Sequence, residues 1–414
     1  MSQPSSVLLS HPFGNANVRH AALAFAESGQ LAGFRTCIHW PEKSPLAPFL
    51  PQAIRQQLQR RSFPPAVARL AAARPLREII RLLALQLGWK SLTAHEIGWA
   101  SVDAVSRDLD AAVAREIATT PHPPAAIYAY EDTAVASFRA ARERNISCIY
   151  DLPIGYWREA RRIQSEEAIL QPEWAATLTA TLDSPRKLNQ KEDELDLADL
   201  IIVASRFTAS TLASRPQLFA PVHIIPYGCP PPAAAPGATP DGPLRVLFVG
   251  SLGQRKGTSY LLDAIDQIQP HATLTLIGSR PHAPCPPLDI ALKKHRWLPS
   301  LPHDEVLREM REHDVLVFPS LFEGFGLVLL EALSQGIPVI TTPHTGGPDI
   351  LTEGEDGYIV PIRDSAAIAE KLTLLTRDRR HLQEMKASAL RKAAQLTWQK
   401  YRSDLLSAGS PLFA

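Results

Sequence analysis

Leu244-Arg-Val-Leu-Phe-Val-Gly250-Ser-Leu-Gly253-Gln-Arg255-Lys256-Gly257 runs directly into a helical apolar pattern over residues 258–268. A short apolar run, a glycine-bearing turn and an amphipathic stretch read as strand, turn and helix, the repeating unit of a parallel α/β layer. The same alternation continues downstream, with strands expected at 273–277, 296–298, 315–319, 338–341 and 358–360. Upstream, strands are expected at 6–10, 34–40, 125–130, 147–150, 200–204 and 222–226, with helical spacing over 18–28 and 133–144. Between the two series lies a stretch from Pro226 to Pro243 whose proline and glycine density admits neither helix nor central strand. The fold class is therefore α/β, as two Rossmann-like domains facing across a cleft. The first spans 1–230 and the second 231–395.

Bulk properties agree with that class. A chain of 414 residues exceeds one ordinary core, and 45% hydrophobic with 21% charged residues is a globular composition. A formal net charge of +1 gives no general pull on nucleic acid. No apolar run reaches the ~20 residues needed to cross a bilayer, and residues 1–10 lack a signal-peptide pattern, so a cytoplasmic location is expected. Cys37, Cys148, Cys229 and Cys285 are scattered, without metal-site spacing, and no metal or cofactor is expected.

One segment stands apart. Arg55, Arg60, Arg61, Arg69, Arg74, Arg77, Arg81 and Lys90 face a single acid, Glu78, with Leu70, Ile79, Ile80, Leu83 and Leu87 interleaved. This suits a basic amphipathic surface resting on an anionic membrane; a solvated helical insertion is the plainer alternative.

The chemistry concentrates in Val317-Phe-Pro-Ser320-Leu-Phe-Glu323-Gly324-Phe325-Gly326-Leu327-Val-Leu-Leu-Glu331. Two glycines let the backbone approach a ligand, and the helix opening near Gly326 offers free N–H groups to a sugar hydroxyl or diphosphate. Glu331 in an apolar helix demands a defined partner. Arg255 and Lys256, in a turn that matches neither a P-loop nor a dinucleotide fingerprint, suit a polyanion, with a surface β-turn as rival. In the first domain, Gly14 and Asn15 follow the first strand, where they either approach the cleft or form a plain strand–helix turn.

Together these residues resemble the family-4 glycosyltransferases of the GT-B fold. The pair Glu323 and Glu331 has that family's spacing, and Thr345-Gly-Gly-Pro-Asp349 and Glu355-Asp-Gly-Tyr358 are similar to its pattern. The resemblance implies a retaining enzyme that moves a sugar from a nucleoside-diphosphate donor to an acceptor hydroxyl, without a metal. Leu396-Thr-Trp398 resembles the start of the family's last helix, which implies that a helix near 396–410 packs back on the first domain. Glu323, Arg255 and Lys256 would be catalytic. Gly250, Ser251, Trp297, Leu298, Ser320, Gly324, Phe325, Gly326, Leu327 and Glu331 would bind donor. Gly14, Asn15 and Asp151, the last standing where the family often has histidine, would face a carbohydrate or lipid-linked acceptor. Ser251 also replaces a frequent arginine. Those departures support a rival reading, a nucleotide-sugar-binding protein without transfer activity; a sugar-nucleotide epimerase is a weaker third.

Overall fold

In the computed structural model, which describes residues 6–40 and 61–412, the expected strands assemble as two parallel sheets. Val7–Ser10 (β1), Leu31–Thr36 (β2), Ala71–Ala73 (β3), Ala126–Tyr130 (β4), Ser147–Leu152 (β5), Leu200–Val203 (β6) and Val222–Ile224 (β7) form the first. Its order is β3-β2-β1-β4-β5-β6-β7. The second sheet contains Leu244–Val249 (β8), Ala272–Ile277 (β9), Arg296–Leu298 (β10), Val315–Phe318 (β11), Val339–Thr341 (β12) and Gly357–Ile359 (β13). Its order is β10-β9-β8-β11-β12-β13.

Both faces of the first sheet are covered, which is why its central strands are apolar without interruption. Leu8, Ile127, Cys148, Tyr150 and Ile201 pack on one face with Val105, Leu109 and Phe138. Val7, Leu9, Tyr128, Ile149 and Ile202 pack on the other with Val18, Ala22 and Phe25. The four cysteines are free and buried.

In each sheet the chain runs outward to one edge and then returns beside its first strand. The reversal falls between β1 and β4 in the first sheet and between β8 and β11 in the second. Such switch points leave a crevice at the carboxyl ends of the strands. The turn from His11 to Asn15 leaves β1 there, and the segments after Val249 and Phe318 leave β8 and β11. Topology thus brings three sequence-distant segments to the facing ends of two sheets.

Two expectations shift. β2 starts at Leu31 and ends at Thr36 rather than covering 34–40. β3 falls inside the basic segment, where three alanines gave no strand signal; pairing with β2 decides it. Of the basic residues, Arg55 and Arg60 lie outside the described residues.

Several contacts among the described residues tie the domains. Helix Trp398–Gly409 crosses to helix Ala16–Glu27: Trp398 stacks on His20 with ring centres 4.0 Å apart, and Arg402 pairs with Glu27 at 3.1 Å. The Cys229 N–H donates to the Leu396 carbonyl at 2.6 Å, locking the linker to the start of that helix. Another tie is Glu167, on helix Trp157–Leu170 of the first domain and fully buried. It accepts from Gln254 Nε2 at 2.7 Å, Tyr260 Oη at 2.9 Å and Arg363 Nε at 2.7 Å, all in the second domain.

Removing one member of a buried ionic network strands the others. Glu167→Ala is expected to lower unfolding free energy by about 3–5 kcal/mol, read from urea denaturation. Glu166→Ala, at the half-exposed neighbour that meets Arg363 at 3.2 Å, should cost about 1 kcal/mol or less.

Candidate active site

The turn after β8 is closed by a single helical turn, Gln254–Lys256, and by Gly257 at φ +69. A Cβ on Gly257 would collide with the Pro319 carbonyl, so only glycine lets the turn lie against the segment leaving β11. That contact sets Arg255 and Lys256 beside the Glu323 loop. Arg255 Nη1 donates to the Phe322 carbonyl at 2.7 Å and to Glu323 Oε2 at 3.2 Å. The Lys256 ammonium forms a close ion pair with the same carboxylate oxygen and lies 4.6 Å from the centre of the Phe318 ring. Burial pulls the Arg255 guanidinium down to about 10. Burial, and then the charge of Arg255, also work against the Lys256 ammonium. Two partly desolvated cations held by one carboxylate form a site with excess positive charge, ready for an anion.

Glu323 precedes helix Leu327–Ser334. Among the described residues no protein group accepts from the N–H groups of Gly326 and Leu327, so the helix mouth presents free donors next to the cations. The loop itself is seated on the first domain. Ser205 Oγ and Thr208 Oγ1 donate to the Gly324 carbonyl at 2.5 and 2.8 Å. A Cβ on Gly324 would overlap the Pro153 carbonyl.

Glu331, a turn further along the helix, faces outward. It lines a cleft of about 1370 Å³ together with Gly14, Asn15, Val249, Leu301 and His303. It also lines a smaller cavity of about 570 Å³ with His20, Leu327 and Trp398. His303 Nδ1 lies 3.7 Å from its carboxylate. Burial raises the Glu331 carboxyl, and His303 partly offsets this.

The segment carrying these groups, residues 233–392, matches the family of glycosyl transferases group 1. The likeness covers the second domain. Sulfoquinovosyl transferase SQD2 of Arabidopsis thaliana is 30% identical over 181 residues, 41% of this chain and 34% of the plant protein. The matched stretch is thus about a third of that relative's length. Across both domains, sucrose-phosphate synthase from Thermosynechococcus elongatus superposes with a TM-score of 0.66 at 16% identity, covering 98% of each chain. Alr3699/HepE from Anabaena, in complex with UDP-glucose, gives 0.60 at 14% identity, covering 98% of this chain and 99% of that one. The architecture is GT-B.

Within the second domain, the structure brings together Arg255, Lys256, Glu323, Gly324 and the N–H groups at Gly326 and Leu327. It brings Glu331 to the same cleft as Gly14 and Asn15. Gly250 and Ser251 follow Val249 at the cleft wall, with Ser251 exposed. Other expected contacts are taken by the protein. Ser320 is fully buried, and its hydroxyl braces the Arg255 carbonyl at 3.2 Å. The Phe325 ring is buried 5.2 Å from that of Tyr227, and its carbonyl accepts from Gly346 N–H at 2.7 Å. Trp297 Nε1 donates to the Gly278 carbonyl at 3.0 Å, and the Leu298 carbonyl accepts from Gly278 N–H at 2.9 Å. From that part of the chain, Leu301 and His303 reach the cleft instead.

Asp151 needs correction. It is 2% exposed within β5, accepts from Tyr128 Oη at 2.6 Å, and does not line the cleft. Placed in β5, its side chain points into the packed layer beneath the cleft rather than to an acceptor. Burial raises its carboxyl to about 7. Sequence reading also missed His303, Ser205, Thr208 and Glu167. Glu167 sits in a helix with an ordinary charge pattern, and no local signal marks its partners across the domains.

The Asp151 shift gives a pH test. Because the folded state holds the proton more tightly, stability falls as pH rises from the ordinary value of 3.8 to about 7, then stays flat. Asp151→Asn lacks this loss. Its advantage over the native protein should grow between those pH values and level off at roughly 2–4 kcal/mol, as read by denaturation at a series of pH values.

Proposed function

We propose that the protein is a retaining glycosyltransferase, moving a sugar from a nucleoside-diphosphate donor to an acceptor hydroxyl in polysaccharide or glycolipid assembly. The observation that carries this reading is the cluster of Arg255, Lys256 and Glu323 at an open helix mouth in a group 1 domain. The UDP-glucose bound by the Anabaena protein supports a nucleotide sugar as the donor.

In this reading the diphosphate takes the place of Glu323 against Lys256 and Arg255. Glu323, released from the cations, accepts hydrogen bonds from hydroxyls of the sugar, while Glu331 accepts those of the ribose. Cleavage of the sugar–phosphate bond leaves negative charge on the diphosphate, which Arg255, Lys256 and the helix N–H groups stabilise without reorganising. The acceptor hydroxyl then attacks from the face the diphosphate leaves, and a phosphate oxygen takes its proton. The buried domain contacts keep water from competing with the acceptor. The proposal assigns leaving-group neutralisation to these side chains, so chelation of divalent ions should leave the rate unchanged.

A donor-binding protein without transfer remains the second reading, favoured by the burial of Asp151. Anomer-resolved NMR of the product from a panel of UDP-, GDP- and ADP-sugars separates the two. Product with the donor's configuration supports transfer with retention; donor binding without product with any acceptor supports the second reading. No helix among the described residues is long and apolar enough to cross a membrane, which accords with the cytoplasmic placement proposed here.

Lys256→Ala is expected to lower kcat/KM by about a hundredfold to a thousandfold, with much smaller change in thermal unfolding. An unchanged kcat/KM in a folded variant would remove Lys256 from the mechanism.

A further inference from the structure

Helix Leu76–Leu87 is built inside out. Its fully buried residues are Glu78 and Ala84, whereas Leu76, Leu85 and Leu87 are 65%, 55% and 58% exposed. Leu76, Ile79, Ile80, Leu83 and Leu87 share one face at helical spacing, and Leu76, Ile79, Leu83 and Leu87 of that face are exposed. The inversion is held by charge. Glu78 accepts from Arg81 at 2.6 and 2.8 Å and pairs with Arg61 at 2.8 Å, so the polar residues form the inward contact.

The apolar surface does not end with the helix. Trp89, Ile97 and Trp99 follow, each exposed, and Arg77 bridges back to the Trp99 carbonyl while lying over its ring. Arg69 and Lys90 flank this surface, exposed and without an ion-pair partner among the described residues. Ile79 and Leu83 of that face also line the large cleft, together with Leu82 and with Leu301 and Val306 of the second domain. A continuous apolar track therefore runs from the protein surface to the cleft that holds Glu331.

We propose that this face docks on an anionic lipid bilayer and that the acceptor is a membrane lipid whose tail enters the cleft along Ile79, Leu82 and Leu83. The acceptor half of this inference rests on the transferase reading above; the docking half does not. Three features favour lipid over a protein partner. Exposed leucines bordered by tryptophan and unpaired cations match the layering of a membrane interface. The helix is about 18 Å long and ~10 Å across, a small footprint beside the ~800 Å² per partner of a stable protein interface. The track also leads into the cleft, which a second copy seated on the surface would cover.

The test is co-sedimentation of the whole chain with vesicles of equimolar phosphatidylcholine and phosphatidylglycerol, beside vesicles of phosphatidylcholine alone. Leu76→Glu/Leu87→Glu lies outside the cleft lining and adds charge only to the exposed face. The native chain should sediment with the anionic vesicles, and the double variant should bind at least about tenfold more weakly. The UDP-induced rise in melting temperature should be equal in both. Failure of the native chain to sediment, or equal sedimentation of the double variant, overturns the proposal. So does concentration-dependent self-association that the double variant abolishes without any vesicle binding, which would identify a second copy as the partner. Vesicle binding with no thermal response to UDP, GDP or ADP in either protein would keep the docking surface and reject the donor reading and the lipid-acceptor assignment with it.

Discussion

One buried carboxylate fixes how the halves of this protein meet. Glu167 has no exposure to water, so every lone pair it carries must be met by protein, and the donors come from the opposite domain. Gln254, one of those donors, is the residue before Arg255. Satisfying Glu167 therefore sets the position of the cationic turn relative to the first sheet. The capture of the Gly324 carbonyl by Ser205 and Thr208 does the same for the Glu323 loop. Both walls of the anion site are thus registered against the first domain by hydrogen bonds too buried for water to replace.

That registration explains the charge state of the site. Burial works against the charge of both Arg255 and Lys256, and Glu323 is the carboxylate that pairs with them. A diphosphate carries more charge than one carboxylate and brings its own hydrogen-bond acceptors, so it competes for the same cations. Donor binding and release of Glu323 become one exchange. The carboxylate is freed only when the leaving group it must not oppose is already held.

The alternation of strand and helix in both halves was legible because it is written in local patterns. β8, its glycine turn and the helix after it read directly from Val246, Phe248, Gly253 and Gly257. Glu331 stood out as a costly carboxylate in an apolar helix, and Glu323 by its place between a strand and a helix. What escaped was whatever depends on two distant segments. Ala71–Ala73 became a strand only because β2 offered an edge. Phe325 and Ser320, in the right motif, turned inward because Tyr227 and the Arg255 carbonyl lay in the way. Asp151 follows the same logic. Its neighbours in sequence place it near the cleft, but alternation along β5 turns its side chain into the layer below, toward Tyr128.

Glu331 shows how geometry can constrain a ligand that local sequence leaves open. It borders both the large cleft and the smaller hinge cavity, so either could seat a nucleoside whose ribose it holds. The diphosphate position is less free, since the cations and the open N–H groups lie at the start of helix Leu327–Ser334, about 6 Å along the axis from Glu331. In the proposed reading, a ribose held at Glu331 with its phosphates at that helix start lies along the helix. Val249, Gly14 and Asn15 line the large cleft beside Glu331, while Leu327 at the helix start lines the smaller cavity. On that reading the acceptor enters the large cleft beside Glu331 while the donor lies along the helix, the proximity that direct transfer between them requires.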